Sequence, residues 1–322
     1  MVKIHFLNVG HGDCTIIEHA SGNTTVIDIN NGEELDDKSA AEIAETLNLR
    51  PEDVYNQVGR TGETPYEILK ASGYQRKLEN PVDYIKNSLS VSNIFRYIQT
   101  HPDLDHMRGI HCLSKEGISI WNFWDTDHNK ELEEFLFPDD EAAWKEYQLF
   151  TSGGKGATVL KLNRNAIGQH FNSHPELGAP GDGLYILAPT PALAASANNN
   201  KKWNNHSYVL MLKYKGSKVI FGGDAEEEVW DSILDAHSEE LSGCSILKAS
   251  HHGRDSGFHY EAVKQMNPEF TIVSVGKKPE TDASNKYRPL TKKGVWSTRW
   301  KGNITLTIDE DGTAVISSQY DN

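Results

Sequence analysis

The chain has 322 residues, of which 37% are apolar, and its Lys+Arg 32 against Asp+Glu 46 leave a formal net charge of −14. That balance argues against a protein that coats nucleic acid through bulk charge. No apolar run approaches the roughly 20 residues of a membrane span. The opening Met1-Val2-Lys3-Ile4-His5-Phe6 lacks the apolar core and cleavage site of a signal peptide, which predicts a cytoplasmic location and no membrane partner. Cys14, Cys112 and Cys244 are odd in number and widely spaced, so neither a disulfide framework nor a CxxC metal site is expected.

Lys3 to Val9 reads as a strand, stopped by Gly10-His11-Gly12-Asp13. Cys14 to Glu18 and Thr24 to Ile29 follow, joined by the turn Ala20-Ser21-Gly22-Asn23, and Asp28 falls at the end of a buried strand. The glycines flanking His11 permit a tight turn, and Asp13 can hydrogen-bond that turn or a neighbouring one. Residues 30 to 93 are polar and mainly helical in pattern, with one helix expected over Ala40 to Leu49 and another over Thr61 to Leu78. This segment looks like an insertion between core strands, able to lid a site or dock a protein partner.

The apolar run Ile94 to Ile98 then leads into Thr100-His101-Pro102-Asp103-Leu104-Asp105-His106. Two imidazoles and two carboxylates within six residues, presented from a turn, are how a hydrolytic metal site is commonly nucleated. His101 and Asp103 are two apart and project to one side of an extended backbone, while Asp105 and His106 follow where Gly109 allows a turn into a helix. Two ligand pairs can then face two neighbouring ions. The competing reading is a helix N-terminus capped by Asp103 or Asp105, with the histidines incidental.

A strand is expected over Ile118 to Trp124, then a second excursion over residues 128 to 183. It carries an acidic amphipathic helix (Leu132, Phe135, Leu136, Trp144, Tyr147) and a linker, Ser152-Gly153-Gly154-Lys155-Gly156, that fits no phosphate-loop frame. After the strand Leu184 to Ala188, the polar run Ser196 to Asn205 reads as a loop into His206 and the strand Tyr208 to Tyr214. Lys218 to Phe221 ends in Gly222-Gly223-Asp224, and Ser245 to Ala249 ends in Ser250-His251-His252-Gly253, with a helix Glu226 to His237 between them. Phe270 to Val275, Ile304 to Ile308 and Ala314 to Ser317 complete the strands.

Charge is unevenly placed. Glu33 to Asp53 holds eight acids against Lys38 and Arg50, and Asp125 to Glu146 holds nine against Lys130 and Lys145, as solvated helix faces do. Lys277 to Lys301 instead holds eight bases against Glu280 and Asp282, the one candidate anion-steering surface. Polar residues recur at strand ends through two β-rich halves, which predicts a single αββα domain with its site on one rim.

The residues Phe6-Leu7-Asn8-Val9-Gly10-His11-Gly12-Asp13, Val26-Ile27-Asp28, Thr100 to His106, Asn204-Asn205-His206-Ser207-Tyr208, Phe221-Gly222-Gly223-Asp224-Ala225 and Leu247-Lys248-Ala249-Ser250-His251-His252-Gly253 resemble the ordered motifs of metallo-β-lactamase-fold hydrolases, and in particular the soluble nuclease-like domain of ComEC competence proteins. The resemblance implies a four-layer αββα sandwich over residues 1 to 322, with insertions at about 30 to 93 and 128 to 183. It implies two divalent ions, zinc or manganese with magnesium as a further option. Carried over, His101, Asp103 and His206 would hold one ion, Asp105, His106 and His251 the other, with Asp224 between them and Asp28 supporting the site. Either His251 or His252 could be the last ligand; with His251 assigned to it, His252 would protonate a leaving group or contact phosphate. Asp103 stands where the broader family has His, which adds a hard oxygen ligand. His206 stands where ComEC-like sequences often carry Asn.

The function so implied is a metal-dependent phosphodiesterase or nuclease acting on DNA or another nucleotide through a metal-activated hydroxide, with Asp105, Asp224 and His252 catalytic. Hydrolysis of a lactam, thioester or lactone is an alternative, for which Trp121 and Trp124 could line an apolar pocket. A non-catalytic, metal-stabilised interaction module is a third.

Overall fold

In a computed structural model, placement is described for residues 1–31, 35, 37–135, 138–168, 170–172, 181–274 and 283–320. Two sheets form the centre. The first runs β14-β13-β1-β2-β3-β4-β5-β6, from strands β1 (Val2–Phe6), β2 (Thr15–Glu18), β3 (Thr24–Ile27), β4 (Asn93–Ile98), β5 (Ser119–Asp125), β6 (Thr158–Lys161), β13 (Ile304–Ile308) and β14 (Ala314–Ser318). The second runs β12-β11-β10-β9-β8-β7, from β7 (Leu184–Ala188), β8 (Val209–Tyr214), β9 (Ser217–Phe221), β10 (Ile246–Lys248), β11 (Phe270–Val273) and β12 (Gly294–Ser297). In each sheet an antiparallel part meets a parallel part: β3, β4, β5 and β6 are parallel in the first, and β9, β10, β11 and β12 in the second.

The period-2 alternation of the strands builds the layers. On β2, Ile17 enters the layer between the sheets and Ile16 the outer layer. On β9, Val219 and Phe221 point between the sheets while Ile220 faces outward. The outer face of the first sheet is covered by α5 (Ile110–Lys115) and α6 (Pro138–Thr151), through Ile110, Leu113, Trp144 and Phe150. The outer face of the second is covered by α8 (Glu227–Leu241) and α9 (Tyr260–Met266), through Val229, Trp230, Ile233 and Val263. Each such large apolar side chain stabilises the fold by about 1.5–3 kcal/mol when fully buried.

Between β3 and β4 stand α1 (Asp37–Thr46), α2 (Pro51–Thr61), α3 (Pro65–Ala71) and α4 (Pro81–Asp83). The less regular helix expected over 61 to 78 forms only over Pro65–Ala71. Gly62 takes φ 74 as the C-cap of α2, Pro65 opens α3 behind a Thr64–Glu67 capping box, and Gly73 at φ 108 follows its end. These helices share a small core of Ile43, Val54, Ile68, Leu69 and Tyr74. They dock on the chain's own α11 (Thr298–Lys301): the Tyr74 hydroxyl donates to the Arg299 carbonyl at 3.1 Å, Arg76 Nε donates to the Trp300 carbonyl at 2.7 Å, and the buried Arg299 guanidinium meets Glu42. The last short helix, α10, spans Ser284–Tyr287.

The second excursion is not wholly inserted, because Thr158–Lys161 pairs in parallel with β5 as an edge strand of the first sheet. Its helix starts at Pro138; Leu132 and Phe135 precede it in irregular chain, and Leu136 lies outside the described residues. Most of the run 196 to 205 is helical rather than loop. Thr190 caps α7 (Pro191–Asn200), accepting from Leu193 N–H with Pro191 at the first position, and burial of Ala194 and Ala197 offsets the poor propensity of the asparagines. Among the described residues no helix is long and apolar enough to cross a membrane.

Candidate metal centre

The ends of β3, β4, β9 and β10 open onto one rim, and the polar turns that follow them meet there. Gln99, fully buried, donates from Nε2 to the carbonyls of His101 at 2.8 Å and His106 at 3.2 Å, fixing the turn that carries both imidazoles. Asp28, at φ 55 beyond β3, accepts Thr100 N–H on Oδ1 and the Thr100 hydroxyl on Oδ2, both at 2.7 Å. The same Oδ2 takes His106 Nδ1 at 2.7 Å, which directs Nε2 inward. Gly12 passes against this turn at φ 144, where a Cβ would collide with the Asp105 carbonyl oxygen.

Asp224 lies at the middle. Its Oδ1 is 3.3 Å from His106 Nε2, and its Oδ2 is 3.5 Å from His252 Nε2, 3.7 Å from His101 Nε2 and 3.8 Å from His251 Nε2. His252 Nε2 also stands 3.2 Å from Asp105 Oδ2, and Asp103 Oδ2 is 3.7 Å from His101 Nε2. Two groups each bring one ligand atom per residue within 4.8 Å of all the others: Asp13, His106, Asp224 and His252, and His11, Asp105 and His252. His252 rather than His251 is thus the deep member of the pair. It is fully buried, whereas His251 is a quarter exposed and holds Ser256 Oγ at 2.6 Å through Nδ1. Both residues take positive φ, 48 and 59, so the turn after β10 rolls the second imidazole under the first.

His206 joins this group least. Its Nε2 meets Asn198 Oδ1 at 3.0 Å, and among the described residues neither ring nitrogen has a carboxylate oxygen within 4.0 Å. Lys248 and Lys130 were not read from the sequence as parts of the site, whereas the sequence offered Asp13 as a partner of the metal turn and His11 as a contact to substrate. Asp13 Oδ1 receives Lys248 Nζ at 2.7 Å, its Oδ2 lies 3.6 Å from His252 Nδ1, and Lys130 Nζ reaches Asp103 Oδ1 at 2.6 Å. The glycines around His11 were the only local signal.

The electrostatics of the centre suit a cation. Burial works against charging His106, yet Asp224 and Asp28 outweigh it and hold its pKa well above the ordinary range. Burial likewise opposes a charged His252, but Asp224 and Asp13 raise it to about 9. Burial pushes Asp224 and Asp105 up; His106 and His252 on the first, and His252 on the second, pull both well below the usual carboxylate range. Among the described residues, buried His101 Nε2, His106 Nε2 and Asp224 Oδ1 have no hydrogen-bond partner. Buried, unpartnered nitrogens and oxygens converging in a carboxylate field fit a divalent ion of the kind that takes imidazole and carboxylate together.

Of the basic run 277 to 301, Arg288 and Lys292 are exposed among the described residues, while other members are paired, buried or not described. Lys277 and Lys278 lie outside the described residues, Lys286 pairs with Asp255 at 2.9 Å, Lys293 with Glu269 at 2.7 Å, and Arg299 is buried on Glu42. Trp124 is core, and Trp121 is 58% exposed on β5, so the two line no common pocket. A groove of about 420 Å³ beside His251 and Ser256 is instead acidic, lined by Glu226, Glu227, Glu228 and Asp231 with Lys202.

Two facing mixed sheets, helices on both outer faces and motif residues at the strand ends of one rim settle the architecture. The fold is a metallo-β-lactamase-like sandwich. No protein-family model matches the chain. ComE operon protein 3 of Bacillus subtilis (strain 168) is 27% identical over 139 residues, 43% of this chain, and the match spans 16% of that protein's length. Among solved structures, the metallo-β-lactamase fold protein YhfI from Bacillus subtilis is similar at TM-score 0.45 and 7% identity, over 98% of this chain and 100% of YhfI. Unliganded yeast PDE1 is similar at TM-score 0.43 and 13% identity, over 95% of this chain and 99% of PDE1. The rim of this fold holds a buried Asp/His cluster whose donor atoms could hold a metal ion.

Proposed function

We propose that the chain is a metal-dependent phosphodiesterase acting on DNA or another nucleotide. The observation that carries this reading is the convergence of His106 and His252 on Asp224, with Asp105 Oδ2 3.2 Å from His252 Nε2 and, among the described residues, His106 Nε2 and Asp224 Oδ1 buried without a hydrogen-bond partner. These four residues would hold one divalent ion, zinc or manganese, with magnesium as a further option. His101 and Asp103 would face a second. When bound, such an ion supplies Lewis acidity, polarising a phosphoryl oxygen and lowering the pKa of an attacking water.

The protein's own groups supply orientation and proton handling. Asp28 fixes the ring of His106, and Asp224 faces four imidazoles from the middle of the site, where its carboxylate can orient the attacking water. His251 is better placed than His252 to serve the leaving group, since it is partly exposed and its Nδ1 is held by Ser256. Arg254, whose Nη2 lies 3.3 Å from His11 Nδ1, is placed to meet a phosphate. The acidic groove beside His251 disfavours a long duplex lying on that side, which favours a small nucleotide or a strand end as substrate.

The test is to strip the metal, add back Mn²⁺, Zn²⁺ or Mg²⁺, and follow cleavage of bis(p-nitrophenyl) phosphate and of single- and double-stranded DNA. Asp105→Ala should abolish metal-dependent cleavage while the circular dichroism spectrum stays unchanged. Cleavage retained in that variant would sink the proposal.

A further inference from the structure

The second excursion delivers a cation to the centre. Lys130 Nζ lies 2.6 Å from Asp103 Oδ1, with the lysine side chain only 14% exposed. Exposed ion pairs are weak and hold neither partner in place. This one is held from behind. Lys130 N–H donates to His128 Nδ1 at 3.1 Å, so the proton of the neutral ring sits on Nε2 and is donated to the Tyr147 hydroxyl at 2.5 Å. Tyr147 in turn donates to Asp125 Oδ1 at 2.5 Å, and Tyr147 and Asp125 are buried. A second set of bonds fixes the same segment to α7: Asn129 N–H donates to Asn198 Oδ1 at 3.0 Å, and Asn198 Nδ2 donates to the Asp127 carbonyl at 2.9 Å.

The two sides of the centre are therefore unequal. Around Asp105, His106 and His252 the carboxylates are answered by imidazoles, which a metal ion can use as ligands once they are deprotonated. On the other side one oxygen of Asp103 already carries an ammonium, His101 Nε2 stands 3.7 Å from both Asp103 and Asp224, and His206 gives its Nε2 to Asn198. Asp13 is met by Lys248, which leaves the carboxylates of Asp103, Asp105 and Asp224 beside the imidazoles; one divalent ion with the Lys130 ammonium balances these three, and a second ion brings charge in excess.

We propose that Lys130 competes with metal for Asp103, so that an ion binds tightly among Asp105, His106, Asp224 and His252 while an ion at His101 and Asp103 binds weakly. This rests on the metal-centre reading above. Repulsion between an ammonium and a dication about 4–5 Å apart weakens binding at least about tenfold even at the dielectric of water, and more in a buried site.

The experiment is a titration of the metal-free 322-residue chain with Mn²⁺ by isothermal calorimetry, with ions retained after desalting counted by mass spectrometry. The wild type should hold one ion through desalting and bind a second at least about tenfold more weakly. Lys130→Met should tighten the weak step at least about tenfold and leave the tight one within about threefold. Lys130→Arg, which keeps the charge, should retain the separated steps. Two equally tight steps in the wild type, or a weak step unmoved in Lys130→Met, overturn the proposal; the wild-type result decides even if the methionine variant does not fold. Absence of any binding overturns the metal-centre reading instead.

Discussion

Replacing Asp28 by Asn changes one oxygen to an NH₂ group in a place that has no room for another donor. Asp28 is 1% exposed and accepts three hydrogen bonds at 2.7 Å, one on Oδ1 from Thr100 N–H and two on Oδ2 from the Thr100 hydroxyl and His106 Nδ1. With the amide oxygen kept on Thr100 N–H, the NH₂ faces two donors; turned round, it faces the backbone N–H. Either way a buried donor loses its acceptor, at about 1–3 kcal/mol. The cheapest escape is for His106 to move its proton to Nε2, leaving Nδ1 to accept from the amide. That places a hydrogen on the nitrogen 3.3 Å from Asp224 Oδ1, where a metal would need a lone pair. Outer partners of this kind are worth about 10–100-fold in metal affinity, or about 1.4–2.7 kcal/mol. The expected outcome for Asp28→Asn is a urea midpoint of the metal-free protein lowered by the equivalent of about 2 kcal/mol, and Mn²⁺ affinity lowered at least about tenfold. Metal affinity within twofold of wild type would refute the role given to Asp28.

Two further predictions separate the scaffold from the site. Arg96 is 1% exposed, lies 5.2 Å over the Trp124 ring, and pairs with Asp182 at 3.0 Å; Asp182→Ala leaves that guanidinium short of its counter-charge at a cost of about 3 kcal/mol or more, so the thermal midpoint should fall while metal affinity holds, and an unchanged midpoint would refute the assignment. Burial raises the Asp125 carboxyl to about 6 despite the Tyr147 bond. With the folded pKa above the unfolded one, the native state binds the proton more tightly, and the resulting stability is present below about pH 4 and lost as pH rises through about 6. Relative to Asp125→Asn, the wild type should lose about 2 kcal/mol between pH 4 and pH 7; parallel stability curves would refute the shift.

The strand ends were legible in the sequence because each couples a period-2 apolar run to a turn whose residues cannot continue it, as in Ile220-Phe221-Gly222-Gly223-Asp224. What could not be read was pairing across the fold. Lys130 stands in an acidic run and resembles a solvated lysine until the chain brings it to Asp103, and Arg299 looks like part of a basic surface until the first excursion brings Glu42 to it. Helix α2 has a single buried side chain, Val54, so its apolar periodicity was faint and only Pro51 marked its start. The order of His251 and His252 depends on two successive positive φ angles, which neither residue type announces.

Two imidazoles that face Asp224 are each backed by a carboxylate, and the two backings differ in kind. Asp28 gives His106 Nδ1 a hydrogen bond at 2.7 Å with no cation on the aspartate, so the ring feels a full negative charge. Asp13 stands 3.6 Å from His252 Nδ1 and shares its charge with Lys248 Nζ, 2.7 Å from Oδ1 and 2.9 Å from Oδ2. The field on His252 from its backing carboxylate is correspondingly weaker, though at both rings the carboxylates outweigh burial and raise the pKa above the ordinary range. Asp13 belongs to the link between β1 and β2 of the first sheet and Lys248 ends β10 of the second, so this pair ties the two sheets together at the rim that carries the centre. Removing the Lys248 ammonium would leave Asp13 as a buried carboxylate with no cation, and the least costly answer is a proton shared with His252. The sheet seam and the protonation of His252 therefore cannot be changed independently, which places the charge of the site under the control of the contact that joins the two halves of the fold.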